Sequence, residues 1–320
     1  MSRRLLFVID PLPTLNPAKD STIAMMRAAQ ARGHETWATT VDRLSWASTA
    51  GVCAEARHLE LISGQGCWYR THTEETLPLN AFDAVLMRKD PPFDVEFISA
   101  TWMLEQAERE GARIFNRPRA LRDHSEKFAL TEFADLAPDT LISRSPAQIS
   151  AFIDEKGDTI LKPLDGMGGR GIFRVRNDDP NRNVIIEMLA ENGTRSVMAQ
   201  RFLPAISAGD KRILLIGGEV VPWCLARIPK AGESRGNLAA GGTGVVQALS
   251  TRDREIAETL APILAARGLL LVGLDVIGEH LTEINVTSPT CMVEIEKSSG
   301  LDVAGMFITA VENACAGSDC

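Results

Sequence analysis

Thr159-Ile160-Leu161-Lys162-Pro163-Leu164-Asp165-Gly166-Met167-Gly168-Gly169-Arg170-Gly171-Ile172-Phe173-Arg174-Val175 holds two short apolar runs around a loop with four glycines in six residues. The pattern predicts strand–loop–strand. Glycine accepts positive φ and lets backbone N–H groups converge, so such a loop can wrap an anion. Lys162, on the first strand, would hold its ammonium over a bound phosphate. The order differs from Gly-x-x-x-x-Gly-Lys-Ser/Thr, because the lysine precedes the glycines, and no helix follows to present its N-terminus. Taken alone, the stretch leaves a phosphate clamp and a plain hairpin turn both open.

Working outward, a helical stretch starts at Lys127 and runs through Phe128, Leu130, Phe133 and Leu136 to stop before Pro138. A strand at Thr140–Ser143 follows, then a helix opened by Ser145-Pro146 and closed by Gly157. Beyond the glycine hairpin come a helix over 181–192 and a strand over 196–200. These make a small α+β unit. Further on the pattern turns to longer antiparallel strands, 211–216 and 220–228, with a polar, glycine-rich segment at 229–244. That segment reads as a surface loop without fixed structure in the absence of ligand. A helix over 252–267, a hairpin of 270–277 with 281–286, and a helix near 303–313 complete the chain.

The first 120 residues read differently. Leu5-Leu6-Phe7-Val8-Ile9 is an uninterrupted apolar run ending at Asp10-Pro11, as for a strand buried on both faces. Asp20 or Ser21 caps a helix carrying Ile23, Met26 and Ala29, and a strand near 35–41 follows. Residues 42–80 are less regular. A buried strand at Ala84–Met87, a helix over 96–110 and a strand over 113–116 make an open α/β domain with loops beyond the strand ends.

Composition sets the outer limits. A hydrophobic content of 45% and a charged content of 24% over 320 residues are ordinary for a soluble globular protein of two or three packed units. The net charge of −8 argues against non-specific nucleic-acid binding. No apolar run approaches the roughly 20 residues of a membrane span, and the run after Arg4 is too short for a signal peptide. Cys53, Cys67, Cys224, Cys291, Cys315 and Cys320 are scattered without Cys-x-x-Cys spacing, so reduced thiols in the cytoplasm are expected.

The sharpest cluster is Gly273-Leu274-Asp275-Val276-Ile277-Gly278-Glu279-His280-Leu281-Thr282-Glu283-Ile284-Asn285-Val286. Residues two apart on a strand share a face, so Glu283 and Asn285 point together. With a three-residue loop at 278–280, Asp275 lies opposite Glu283. Two carboxylates and an amide oxygen beside apolar Val276, Ile284 and Val286 suit a hard cation with nucleotide phosphates; the plainer alternative is a polar solvent face. Lys127, Lys162, Arg212, Arg227 and Arg235 sit at strand ends or loops nearby, and arginine forks suit carboxylates or phosphates. Thr287-Ser288-Pro289-Thr290 offers hydroxyls and N–H groups. No nucleophile is flanked by a base, and Cys291 reads as a small packed residue.

Together these motifs make the chain resemble the bacterial-type glutathione synthetase of the ATP-grasp superfamily, from about residue 5 to 311. The strings that carry the resemblance are Met87-Arg88-Lys89-Asp90-Pro91-Pro92-Phe93-Asp94, 160–169, Gly236-Asn237-Leu238-Ala239-Ala240-Gly241-Gly242, and 281–290. The resemblance implies an α/β N-terminal preATP-grasp (Rossmann-like) domain over 1–122 and an ATP-grasp fold of two α+β subdomains, 123–203 and 204–320, its grasp proper spanning about 127–312. It implies Lys127 and Lys162 as ATP-phosphate lysines and Asp165, Gly166, Met167, Gly168 and Gly169 as the phosphate cover. Gln200, Arg201, Phe202 and Leu203 match the adenine hinge, and Asp210 a ribose contact. Asp275, Glu283 and Asn285 match the ligands of magnesium, with manganese as alternative.

Arg88, Arg212, Arg227, Arg235, Asn237, Ser288 and Thr290 match substrate-side positions, with Arg212, Arg235 and Asn237 as the catalytic group. The implied reaction is ATP-dependent joining of γ-glutamylcysteine to glycine by a cytoplasmic homo-oligomer, dimer or tetramer. Another ATP-grasp carboxylate–amine ligase and a non-catalytic ATP-binding regulator are the alternatives. Intact Asp275, Glu283 and Asn285 speak against the regulator.

Overall fold

A computed structural model describes residues 2–62, 67–233, 235, 236, 238 and 241–317. Its first sheet is built on β1 (Arg4–Val8), whose alternate residues feed two cores. Leu5 and Phe7 pack with Ile23 and Met26 of α1 (Ser21–Ala31), while Leu6 and Val8 pack toward the other side. Asp20 caps α1 by accepting from the N–H groups of Thr22 and Ile23 at 2.8 and 3.0 Å. β2 (Glu35–Thr39) pairs parallel with β1. The stretch that looked irregular holds β3 (Leu44–Ala47), β4 (Gly51–Leu61) and β5 (Tyr69–Pro78), an antiparallel extension of the sheet. The inward positions of β4 are Val52, Ala54, Ala56, Leu59 and Leu61, whose alternation slips by one residue at the irregularity between His58 and Leu59, and β5 is almost wholly exposed, so neither carries an unbroken apolar alternation. β6 (Ala84–Met87) lies parallel on the other side of β1. α2 (Val95–Arg109), capped by Asp94, packs Phe97 and Leu104 under Leu6 and Val8; β7 (Ile114–Phe115) and α3 (Pro118–Asp123) end the unit.

Residues 128–136, expected as an α-helix, form 3₁₀ turns broken at Phe133 (φ −126°, ψ 40°). β8 (Thr140–Ser143), α4 (Pro146–Lys156), β9 (Asp158–Pro163), β10 (Phe173–Arg176), α5 (Arg182–Leu189) and β11 (Val197–Arg201) build a four-stranded antiparallel sheet ordered β10-β9-β11-β8. Ile149 and Ile153 of α4 and Ile186 of α5 cover its apolar face over Leu161, Val175, Val197 and Ala199.

The third sheet contains β12 (Asp210–Ile216), β13 (Glu219–Ile228) and β14 (Thr243–Ala248). After α6 (Thr251–Ala266) come β15 (Leu271–Ile277) and β16 (His280–Asn285), in the order β14-β13-β12-β15-β16. β14 begins in the last two residues of the segment expected to lack fixed structure; it is an edge strand with largely exposed side chains. α6 covers one face of this sheet, packing on Ile213, Val272, Leu274 and Ile284. α7 (Met292–Ser299) and α8 (Val303–Ala316) cover the other over Leu214, Ile216, Val221, Leu225 and Leu271. Among the described residues no helix is long and apolar enough to cross a membrane, and no disulfide forms among the described cysteines.

Candidate active site

The strands of the third sheet change character along their length. Under α7 and α8 the face is apolar; where that cover ends, the same face continues as Asp210 and Arg212 on β12, Arg227 on β13 and Asp275 on β15. Register places Asp210 opposite Arg227 and Arg212 opposite Asp275. All four line a cavity of about 280 Å³ bordered by the second and third sheets and by the loop after β6; Arg212, Arg227 and Asp275 are buried and Asp210 is half-buried. Arg212 forks onto Asp275 through Nε and Nη2 at 2.6 and 3.1 Å. Arg227 Nη2 lies 2.6 Å from Asp210 and 2.9 Å from Asp275. Burial alone would raise the Asp275 pKa, but Arg212 and Arg227 outweigh it and hold the carboxyl well below the usual carboxylate range. Asp210 is pushed up to about 6 by burial that Arg227 only partly offsets, and its Oδ1 is buried without a hydrogen-bond partner.

Asp275 does lie opposite Glu283, but by a route the spacing does not suggest. The turn is two residues long, with Ile277 paired to His280, which by itself would put Asp275 opposite Thr282. A β-bulge at Thr282 adds one residue to β16 and returns Glu283 and Asn285 to the cleft face. The bulge also turns the Thr282 carbonyl toward Lys162, whose Nζ donates to it at 3.3 Å. Lys162 has no carboxylate within ion-pair distance among the described residues, and burial lowers its pKa to about 8. Lys127 is the opposite case: Nζ lies 2.8 Å from Glu283 Oε1 and donates to the Gly166 carbonyl at 2.7 Å. Burial opposes its charge, yet Glu283 more than compensates and its pKa is raised.

Gly166, Met167, Gly168 and Gly169 line the cleft, with Gln200, Arg201, Phe202 and Leu203 at one end and Arg235, Ser288 and Thr290 at the other. Asp165 turns outward to Arg195 at 2.5 Å, and Arg201 pairs with Asp139 at 3.3 Å. Arg88, expected on the substrate side, does not line the cavity: its guanidinium reaches the Thr22 hydroxyl at 3.1 Å and the Pro289 carbonyl at 2.9 Å, tying β6 to the loop before α7. Asn237 lies outside the described residues. Asn285 donates Nδ2 to the Gly273 carbonyl at 3.2 Å, so its Oδ1 is left for another partner. With Glu283 and Asp275 this is an all-oxygen set that fits a hard divalent cation. Both carboxylates already hold cationic side chains, however, so the unpaired repulsion anticipated from the sequence is relieved by Lys127, Arg212 and Arg227. Among the described residues no cluster of three His, Cys, Asp or Glu side chains is arranged for a metal.

Two cleft acids escaped the sequence reading. Glu126 Oε1 accepts from the N–H groups of Val286 and Thr287 at 3.1 and 3.2 Å and from the Thr287 hydroxyl at 2.8 Å. Asp90 projects from the end of β6 beside Ser288. Only adjacency, to Lys127 and to Arg88, could have drawn attention to them, because their partners lie far along the chain.

The model of the prokaryotic glutathione synthetase N-terminal domain matches residues 4–122, and that of the same enzyme's ATP-grasp domain matches 126–300. Glutathione synthetase of Ralstonia nicotianae is 57% identical over 311 residues, covering 97% of this chain and 96% of that protein. The enzyme of Nitrosomonas europaea is 56% identical over 312 residues, covering 97% of each. In shape the chain is similar to D-cycloserine synthetase DcsG, with a TM-score of 0.66 at 14% identity over 97% of this chain and 99% of that one. It is likewise similar to the ATP-grasp ligase PsnB complexed with a minimal precursor, with a TM-score of 0.65 at 17% identity over 98% and 99%. A cleft between two sheets and the loop after β6, with paired lysines over a bulged acidic hairpin, thus sits in a chain matched along almost its whole length: the chain belongs to the prokaryotic glutathione synthetase family.

Proposed function

We propose that this cleft joins γ-glutamylcysteine to glycine with ATP, releasing glutathione, ADP and phosphate. The observation that carries the assignment is Lys162, a buried ammonium with no carboxylate partner, facing the acidic hairpin. Such a group is stabilised by an anion that arrives with the substrate. Lys162 and Lys127 hold the polyphosphate, and the backbone N–H groups of the glycine loop cover it. The hinge at 200–203 takes the adenine, and Asp210 the ribose.

A free carboxylate is a poor acyl donor. One cysteinyl carboxylate oxygen attacks the γ-phosphorus, the bond to the β-phosphate oxygen breaks, and ADP leaves. The glycine amine then attacks the acyl carbon of the resulting acyl phosphate, and the C–O bond to phosphate breaks as the nitrogen loses its proton. Positioning and charge stabilisation supply most of the acceleration, in keeping with the absence of a nucleophile–base pair. Arg235, Asn237, Ser288 and Thr290 orient the carboxylates, with Arg212 and Arg227 as a fixed positive wall. Magnesium, or manganese, held by Glu283, Asn285 and Asp275 would neutralise charge on the phosphate oxygens. Segment 229–244 excludes water from the acyl phosphate. A cytoplasmic homo-oligomer, dimer or tetramer, completes the reading.

ADP release measured with γ-glutamylcysteine plus glycine, against D-alanine or glutamate in place of glycine, tests the assignment. Release dependent on both named substrates, with glutathione formed, is the expected result. Equal turnover with another amine acceptor would reassign the chain to a different carboxylate–amine ligation.

A further inference from the structure

The described residues place five carboxylates in the cavity wall: Asp90, Glu126, Asp210, Asp275 and Glu283. Four are already engaged. Glu126 accepts from Val286 and Thr287, Asp210 and Asp275 hold arginines, and Glu283 holds Lys127. Asp90 alone has neither a cationic side chain within ion-pair distance nor a backbone donor on its carboxylate; Ser288 is the side chain that hydrogen-bonds it, and Arg88 acts on it only from beyond ion-pair distance.

Its backbone, by contrast, is firmly held. The Asp90 N–H donates to Asp10 Oδ2 at 2.9 Å. Lys89 Nζ donates to the Asp90 carbonyl at 2.6 Å and pairs with Asp10 at 2.8 Å. Asp90 is exposed at the edge of the cleft, yet partial desolvation, with Asp10 and Asp20 adding to it and Ser288 and Arg88 only partly offsetting it, raises its pKa, so a cation delivered there relieves an existing penalty.

The ligands can be sorted by charge in the same way. ATP brings only negative charge. Glycine must present a neutral amine to attack. The dipeptide carries one ammonium throughout, at the end opposite its reacting carboxylate. Asp90 sits in the loop that leaves the first sheet after β6, whereas Lys162 stands on the second sheet and the acidic hairpin belongs to the third, so an extended dipeptide can span from one side to the other.

We infer that Asp90 binds the α-ammonium of the γ-glutamyl group and so fixes the direction in which the dipeptide lies. This rests on the function proposed above. The test compares γ-glutamylcysteine with glutaryl-cysteine, which lacks only that ammonium, in the unaltered chain and in Asp90→Asn. The unaltered chain should favour γ-glutamylcysteine by about 10–100-fold in kcat/KM, the range for a hydrogen bond to a charged group. In Asp90→Asn the preference should collapse to within a few-fold, through KM for the dipeptide, while KM for ATP and for glycine stays put. The same preference in both forms, or a loss confined to glycine, overturns the inference with the function intact. Failure of the unaltered chain to make glutathione overturns both.

Discussion

Two hairpins face each other across the cleft, and they are built on opposite plans. The β9–β10 hairpin pairs four residues and then opens into a long loop where Gly168, Gly169 and Gly171 take φ of +62°, +82° and +70°. The β15–β16 hairpin closes in two residues, is buried along its length, and carries its irregularity inside the ladder. One borders the cleft with an open glycine loop; the other presents side-chain oxygens from paired strands. Even the cation of the flexible hairpin stands on a strand, because Lys162 pairs with Met198 in the central ladder of its sheet. Charge is thus held by rigid backbone, and conformational freedom is confined to the part that contributes dipoles.

The largest effects should come from the charged positions, and they should separate the two hairpins. Lys162→Met and Glu283→Gln should each lower kcat/KM for glutathione formation by at least roughly 10³-fold. Their stabilities should move apart. Glu283→Gln strips Lys127 of its ion-pair partner and should cost roughly 2 kcal/mol, whereas Lys162→Met removes a buried charge held only by the Thr282 carbonyl and should raise the thermal midpoint. Parallel shifts in the two midpoints would break the distinction.

A smaller effect follows from the same lysine. Its pKa is lowered from 10.5 to about 8 in the folded protein, so charging it there costs roughly 3 kcal/mol. That cost is fully present below pH 8 and fades as pH rises toward the unfolded value, because the unfolded chain binds more protons in this window. The stability advantage of Lys162→Met over the unliganded parent should therefore shrink between pH 8 and 10, measured by denaturant unfolding; a constant difference would contradict the burial of an unpaired ammonium.

The smallest change should be Gly168→Ala. A Cβ there meets no atom within 4 Å, so only the positive φ opposes it, at about 1 kcal/mol. KM for ATP should rise about 5-fold, with the thermal midpoint lowered by no more than about 2–4 °C. A loss matching that of Lys162→Met would mean the loop holds charge in place rather than supplying adaptable donors.

Much of this was readable beforehand where one residue acts on near neighbours. The caps at Asp20 and Ser145, the doubly buried β1 and the glycine hairpin all rest on local chemistry. The out-of-step β4 and exposed β5 were silent because their pairing depends on partners across the sheet. At the site, the residue types on 275–285 were legible, yet the device that aligns them was not. The roles of Glu126 and Arg88 rest on contacts with carbonyls and N–H groups more than 150 residues away, which carry no sequence signal.

The bulge at Thr282 has a consequence for how this strand can vary. Side-chain facing along a strand is a parity, and the bulge flips it between Leu281 and Glu283. Were Thr282 taken into the ladder as a regular pair, it would fall opposite Asp275 and Glu283 opposite Leu274, inside the core under α6. Perfecting the hairpin would turn its acids away from the reaction. The defect is what keeps odd and even positions correctly assigned, so this chain can lengthen or shorten that turn only if a compensating residue appears in the strand beside it.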